Sequence, residues 1–282
     1  MEEAIKKAEV LIEALPYIQK FYRKIVVIKY GGSILGEDKI RQGVLQDIVF
    51  LNLVGIRIVL LHGGGPNISE RMRSEGRKTE FVDGMRVTDV ETLKVVEEEL
   101  EVLNKKIVNE LQRLGAQAVG LNGKDGIIQA EKKKTKIDLG LVGQVKQVNT
   151  SRIQEALESN VIAVVLPMGF GSDNKVYNIN ADEAASSVAL ALKAEKFVVL
   201  TNVAGIMRNP EDPNSLLSSL SAQEAEVLIK NNVIQTGMIP KVKACLDAVK
   251  GVAKAHIIDA RIPHGLLLEI FTDKGVGTEI VH

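Results

Sequence analysis

Lys29 closes a short apolar run, Ile25-Val26-Val27-Ile28, and two residues later the chain reaches Gly31 and Gly32. A second run, Arg57-Ile58-Val59-Leu60-Leu61, ends in His62-Gly63-Gly64-Gly65-Pro66-Asn67. Each run reads as a buried strand of a parallel sheet, and each glycine cluster bares backbone N–H groups ahead of a helix, a geometry that attracts anions. The lysine adds a mobile positive charge where a phosphate would sit, so the pair of loops points to phosphoryl transfer. Two tight turns with a surface lysine is the plainer alternative. Far along the chain, Gly237-Met238-Ile239-Pro240-Lys241 enters another helix and puts Lys241 in its first turn. The helix dipole disfavours a cation there, so an anion is expected nearby. Asp182, in the helix entry Asn178-Ile179-Asn180-Ala181-Asp182, reads locally as simple charge complementing a helix N-terminus.

These groups must be positioned by an α/β fold, because strand-like runs alternate with helical patterns over most of the chain. We expect a central, mostly parallel sheet with helices on both faces, plus an N-terminal helix and a β-hairpin lid. Ile5, Ala8, Ile12 and Leu15 share one face of the leading helix, which Pro16 should bend or end. Ile40, Val44, Ile48 and Leu51 mark a second helix, and Asn67 to Ser74 a third with Pro66 in its opening turn. Thr88-Asp89-Val90-Glu91 reads as a capping box for a long helix that stops at Gly115. Residues 116–148 carry Asn122-Gly123 and Asp125-Gly126 turn formers between short apolar runs, so they are expected to form a hairpin-rich cover over one end of the sheet. Lys132-Lys133-Lys134 with Lys136 lies inside that cover and has no interleaved aromatics, which reads as a solvated loop. Further on come a strand from Val161 to Leu166, a glycine-rich loop from Pro167 to Val176, a strand from Phe197 to Thr201, and an exposed turn from Asn209 to Asn214. Ser221-Ala222-Gln223-Glu224 is a second capping box, and a strand from Ala255 to Asp259 precedes a short glycine-flanked ending.

Composition excludes more than it selects. Of 282 residues 45% are hydrophobic, enough for one large or two modest domains, and 36 basic residues balance 36 acidic ones. No net field draws in nucleic acid or an anionic membrane, and no apolar stretch approaches the ~18 residues of a spanning helix. With an acidic start, Met1-Glu2-Glu3, the chain is expected to be cytoplasmic. Cys245, the single cysteine, reads as buried filler, and the four histidines show no metal-ligand spacing. Neither a G-x-x-x-x-G-K-[ST] loop nor a dinucleotide fingerprint occurs.

Val27-Ile28-Lys29-Tyr30-Gly31-Gly32, Leu61-His62-Gly63-Gly64-Gly65-Pro66, Asp83-Gly84-Met85-Arg86-Val87-Thr88, Tyr177 to Asp182 and Gly237 to Lys241 together resemble the amino-acid kinase family. Gly84-Met85-Arg86 and Asn178 to Asp182 resemble the branch whose members phosphorylate N-acetyl-L-glutamate in arginine biosynthesis. The resemblance implies transfer of the γ-phosphoryl of ATP to the substrate's side-chain carboxylate, which is already ionised and needs no general base. It makes Lys29 and Lys241 the catalytic lysines and Asp182 the acid that orients both. Gly31, Gly32, Gly63 and Gly64 would bind phosphoryl oxygens. Gly64, Gly65, Arg86 and Asn178 would bind the amino-acid substrate, Arg86 by a two-pronged carboxylate contact. Thr201, Asn202, Gly205 and Met238 would line the nucleotide, with Asn202 departing from the aspartate of many relatives. Mg²⁺ would be held mainly by phosphates and water, with no protein metal site.

The extra N-terminal helix and the ending from Leu267 to Gly277 resemble the arginine-inhibited members of that branch. This implies an arginine effector site at Tyr17, Lys196, Glu269 and Gly275, and a homohexamer built as a trimer of dimers. The implied division is residues 1–20 as an oligomer-linking helix, 21–178 as an amino-acid-binding lobe, and 179–282 as a nucleotide-binding lobe that also carries the effector site. ATP, N-acetyl-L-glutamate and L-arginine are the implied partners, with no nucleic acid and no membrane. Another kinase of the family, acting on glutamate, aspartate, carbamate or uridylate, and a non-catalytic ligand sensor are the competing readings. Arg86 and Asn178 weigh against the first of these, and the retained Lys29, Lys241 and Asp182 against the second.

Overall fold

The computed structural model describes residues 1–209, 211–234, 237–273 and 275–282. Pro210 of the expected turn and Lys274 of the expected ending lie outside the described residues. Among the described residues an eight-stranded sheet runs, edge to edge, Ser219–Ser221, Thr278–Val281, Lys254–Asp259, Lys196–Thr201, Ile25–Tyr30, Arg57–His62, Ile162–Leu166, Ala118–Asn122. Every neighbouring pair is parallel except Lys254–Asp259 with Thr278–Val281.

Alternation along the strands sends successive residues to opposite faces, which explains why the central runs are apolar throughout. Val27, Val59, Val165, Val199 and Ile257 face Ala184, Ala185 and Val188 of the helix Ala181–Ala191 and Val242 and Cys245 of the helix Ile239–Ala248. Ile28, Ile58, Leu60 and Val198 face Leu45 and Ile48 of the helix Asp38–Leu53 and Ile107 and Leu111 of the helix Val90–Arg113. Cys245 is buried filler, as its setting in the chain suggested.

Four expectations change. The strand Ala118–Asn122 belongs to the edge of the main sheet, paired with Ile162–Leu166, so the cover begins only at Ile128. That cover is a closed four-stranded barrel in which two hairpins, Ile128–Lys132 with Val142–Val148 and Met168–Gly171 with Val176–Ile179, pair with each other. The expected loop from Pro167 to Val176 therefore contains a strand. Its glycine serves close packing, since a Cβ at Gly169 would stand 2.6 Å from that of Ala130. The leading helix, Glu2–Phe21, does not end at Pro16 but continues past it to Phe21. At the long helix the cap is Asp89, which accepts from the Thr92 N–H, while Thr88 turns its hydroxyl to the Arg86 carbonyl. The Ser221 capping box forms as expected, with Glu224 returning the bond.

Candidate active site

The two glycine loops leave neighbouring strands, Lys29 in register with Leu61 and Tyr30 with His62, and pack backbone against backbone. A Cβ at Gly32 would lie 3.1 Å from the Gly65 nitrogen and 3.2 Å from that of Gly64, so a side chain there would crowd the main chain of the second loop. Of the four glycine amides expected to meet phosphate, two are already used: Gly31 N–H donates to Leu200 O and Gly63 N–H to Tyr30 O, extending the sheet. Among the described residues the N–H groups of Gly32, Gly64 and Gly65 have no such partner, and these three open toward a cleft of ≈ 340 Å³.

Asp182 stands on the far wall of that cleft, in the first turn of the helix Ala181–Ala191, whose N-cap Asn180 accepts from the Asp182 and Glu183 N–H groups. Its Oδ1 lies 2.8 Å from Lys29 Nζ and its Oδ2 3.6 Å from Lys241 Nζ. The Lys29 contact is a charge pair without the alignment of a good hydrogen bond, which leaves Oδ1 otherwise bare. Burial works to raise the Asp182 pKa, but the two ammonium groups outweigh it and hold the carboxyl below the usual range. Burial also lowers the Lys241 pKa, and Asp182 only partly restores it against the repulsion of Lys29. The local reading of Asp182 as dipole-complementing charge is thus incomplete: it braces two cations brought from residues 29 and 241.

Arg86 closes the other end. Asp83 and Gly84 both take positive φ, making a two-residue hairpin turn that sets Phe81 opposite Arg86. The guanidinium lies 4.7 Å from the Phe81 ring centroid and donates to Gly65 O at 3.0 Å and Ser69 Oγ at 2.8 Å. It is only 6% exposed, and among the described residues no carboxylate pairs with it. Asn178, across the cleft, donates to Thr88 Oγ1 at 3.2 Å. Ser69, Phe81 and Thr88 are supports that the sequence reading missed. The Asp83-Gly84 hairpin signal could have found Phe81, whereas Thr88 looked like a helix cap.

Of the expected nucleotide residues, Thr201 and Asn202 line the cleft, while Gly205 and Met238 are not part of its lining. Gly205 instead packs where a Cβ would meet Thr278 Oγ1 at 2.6 Å, and Met238 is the N-cap of the helix Ile239–Ala248. Among the described residues no group of three or more His, Cys, Asp or Glu is placed to hold a metal, and no helix is long and apolar enough to cross a membrane.

Tyr17, Lys196, Glu269 and Gly275 all line a separate pocket of ≈ 420 Å³ beneath the leading helix. Glu269 is buried there. It accepts from Lys196 Nζ at 2.6 Å and from the Val276 N–H at 3.0 Å, and faces His256 Nδ1 at 2.9 Å. Burial would raise its pKa, but His256 and Lys196 hold it low. Tyr17 donates to Asp273 Oδ1 at 2.7 Å, tying the leading helix to the chain's last segment.

Residues 24–259 match the sequence profile of the amino acid kinase family. The chain is 47% identical to an acetylglutamate kinase of Syntrophomonas wolfei, over 99% of its own length and 98% of the relative's. It is 48% identical to an acetylglutamate kinase of Carboxydothermus hydrogenoformans, over 99% of each. Among solved structures, N-acetylglutamate synthase from Neisseria gonorrhoeae, complexed with coenzyme A and N-acetyl-glutamate, superposes with a TM-score of 0.87 at 27% identity. That match takes in 98% of this chain but only 63% of the synthase. Giardia carbamate kinase shares the fold, with a TM-score of 0.67 at 16% identity over 92% of this chain and 98% of its own.

Proposed function

The chain belongs to the amino acid kinase family and is a kinase, and on that premise we propose that it transfers the γ-phosphoryl of ATP to the side-chain carboxylate of N-acetyl-L-glutamate. The observation that carries this is Asp182, shared by Lys29 and Lys241 in one cleft whose other wall holds Arg86, which pairs with no carboxylate among the described residues. Two anions must meet there, and catalysis consists of bringing them into line and neutralising the transferring group. Arg86 takes the substrate's fixed carboxylate, where its fork can bind both oxygens, and Asn178 and Gly65 complete that end. Lys29 and Lys241 flank the moving phosphoryl group, while the Gly32 and Gly64 amides meet its oxygens. Thr201 and Asn202 face the nucleotide, and Met238 caps the helix that carries Lys241. Asp182 is committed to the two ammonium groups, so the donor set fits Mg²⁺ carried by phosphates and water rather than a resident ion.

We assign the pocket at Tyr17, Lys196, Glu269 and Gly275 to an inhibitory arginine. The gonococcal synthase has also been solved with coenzyme A and L-arginine, and superposes with a TM-score of 0.83 at 26% identity over 97% of this chain and 65% of its own. Ile5, Val10, Leu11, Ile12 and Leu15 are exposed on the leading helix, which supports its use in linking dimers into a hexamer. Deleting residues 1–18 should shrink the assembly seen by light scattering and blunt arginine inhibition. The deciding experiment for the activity is a coupled assay of ADP release with N-acetyl-L-glutamate against plain glutamate, each with and without arginine. Turnover confined to the acetylated substrate is expected, and equal turnover of both would refute the substrate assignment.

A further inference from the structure

His62, the residue that opens the second glycine cluster, is completely buried yet polar. Its Nδ1 lies 3.2 Å from the carbonyl oxygen of Gly63, and its Nε2 lies 3.2 Å from Asn104 Nδ2. Asn104 comes from the long helix Val90–Arg113 and is itself buried. The same Asn104 nitrogen lies 3.0 Å from the carbonyl of Val164. A carbonyl can only accept, so the atom facing it is the amide nitrogen, and both of its hydrogens are then spoken for. One goes to Val164 and the other to His62 Nε2, which must be bare. The imidazole proton therefore sits on Nδ1 and is donated to Gly63 O. Burial lowers the His62 pKa to about 4, so a neutral ring with a single proton is the form present at neutral pH.

A planar trans peptide points its C=O and its N–H in opposite directions. Holding the Gly63 carbonyl toward His62 therefore sends the Gly64 N–H the other way, and Gly64 lines the cleft. The strand side of the arrangement is equally specific. Gly120, on the edge strand Ala118–Asn122, leaves the space that the Asn104 side-chain oxygen occupies, and a Cβ there would collide with it.

We propose that Val164, Asn104 and His62 form a fixed hydrogen-bond relay that sets the tautomer of His62 and thereby aims the Gly64 amide at the transferring phosphoryl group. His62 and Asn104 are positioning residues in this scheme and touch no reactant. The assignment rests on the kinase reading above, but its structural half can be tested without turnover. In protein labelled with ¹⁵N-histidine, His62 should appear as a neutral ring protonated on Nδ1, unchanged from pH 6 to 8. A proton on Nε2, or titration near the ordinary histidine pKa, would overturn the relay whether or not the protein phosphorylates anything.

The catalytic half is read by substitution. H62N places an amide nitrogen close to where Nδ1 stood and should retain most of kcat. H62Q reaches toward Asn104 instead, leaves the Gly63 carbonyl free, and should lose on the order of 10²-fold in kcat with both KM values nearly unchanged. G120A, which pushes on Asn104 from the opposite side, should follow H62Q and serves if that variant does not fold. Equal losses in H62N and H62Q, or a change confined to KM, would refute the aiming role.

Discussion

Lys29 and Lys196 sit on neighbouring parallel strands, Lys29 in register with Val199 near the carboxyl end and Lys196 with Val26 near the amino end. Both are buried and both hold a buried carboxylate, Asp182 for the first and Glu269 for the second. What surrounds each pair differs. Among the described residues, the cleft at Lys29 is lined by three cationic side chains, Lys29, Arg86 and Lys241, against Asp182 alone. The pocket at Lys196 is lined by Glu195, Glu269, Asp273 and Glu279 against Lys20, Lys196 and Lys254, with burial keeping His256 toward its neutral form. The same type of ion pair thus anchors a cleft with surplus positive charge at one end of the sheet and, at the other, a pocket whose acids and bases nearly balance, Glu195 being paired with Lys24 beside it. A buried pair does not by itself say what a site binds. The surplus around it does, because a ligand must supply the charge that the protein leaves uncompensated.

The contrast can be broken most severely at Asp182 and its lysines. K241A should lower kcat by about 10³-fold with little change in substrate binding, because the lost charge acts on the transferring group. Pre-steady-state and steady-state kinetics would check this, and an unchanged kcat would remove Lys241 from the mechanism. The Lys241 pKa lies below the ordinary lysine value, and the ammonium form is the one required. The free-enzyme profile of kcat/KM should therefore fall as pH rises, starting below the range of an exposed lysine.

R86K keeps the charge but loses the fork, and should raise KM for the acetylated amino acid by about tenfold to a hundredfold, leaving KM for ATP in place. Movement of the ATP constant alone would reverse the assignment of the two ends of the cleft. At the other pole, E269Q removes the buried carboxylate where a guanidinium is expected to bind. The arginine concentration for half-inhibition should rise by about tenfold or more, measured by titration calorimetry alongside the assay. Tyr17 contributes an exposed hydrogen bond from the leading helix, so Y17F should shift the same arginine titration by only a few-fold.

The central sheet was legible because its signals are local. A buried strand must be apolar, a loop that lets two backbones approach must be glycine, and both conditions are written in consecutive residues at positions 25–32 and 57–65. The barrel was not legible, since Gly169 and Gly171 have the same identity whether they make a turn or let two walls of a narrow barrel touch. Thr88 was misread for a similar reason: a threonine beside a helix start can cap it or, as here, accept from Asn178 while the neighbouring Asp89 does the capping.

The order of residues along the chain determined which side chains are available and which stretches become strands, loops and helices, because steric rules and apolar periodicity act between near neighbours. Only the folded molecule decided that residues 29, 182 and 241 share one charge cluster, that Glu269 is buried against Lys196, and that, among the described residues, Gly32, Gly64 and Gly65 keep free amides while Gly31 and Gly63 do not. Coulombic pairing and hydrogen-bond satisfaction depend on distance in space, and strand pairing across the sheet sets that distance irrespective of separation in sequence.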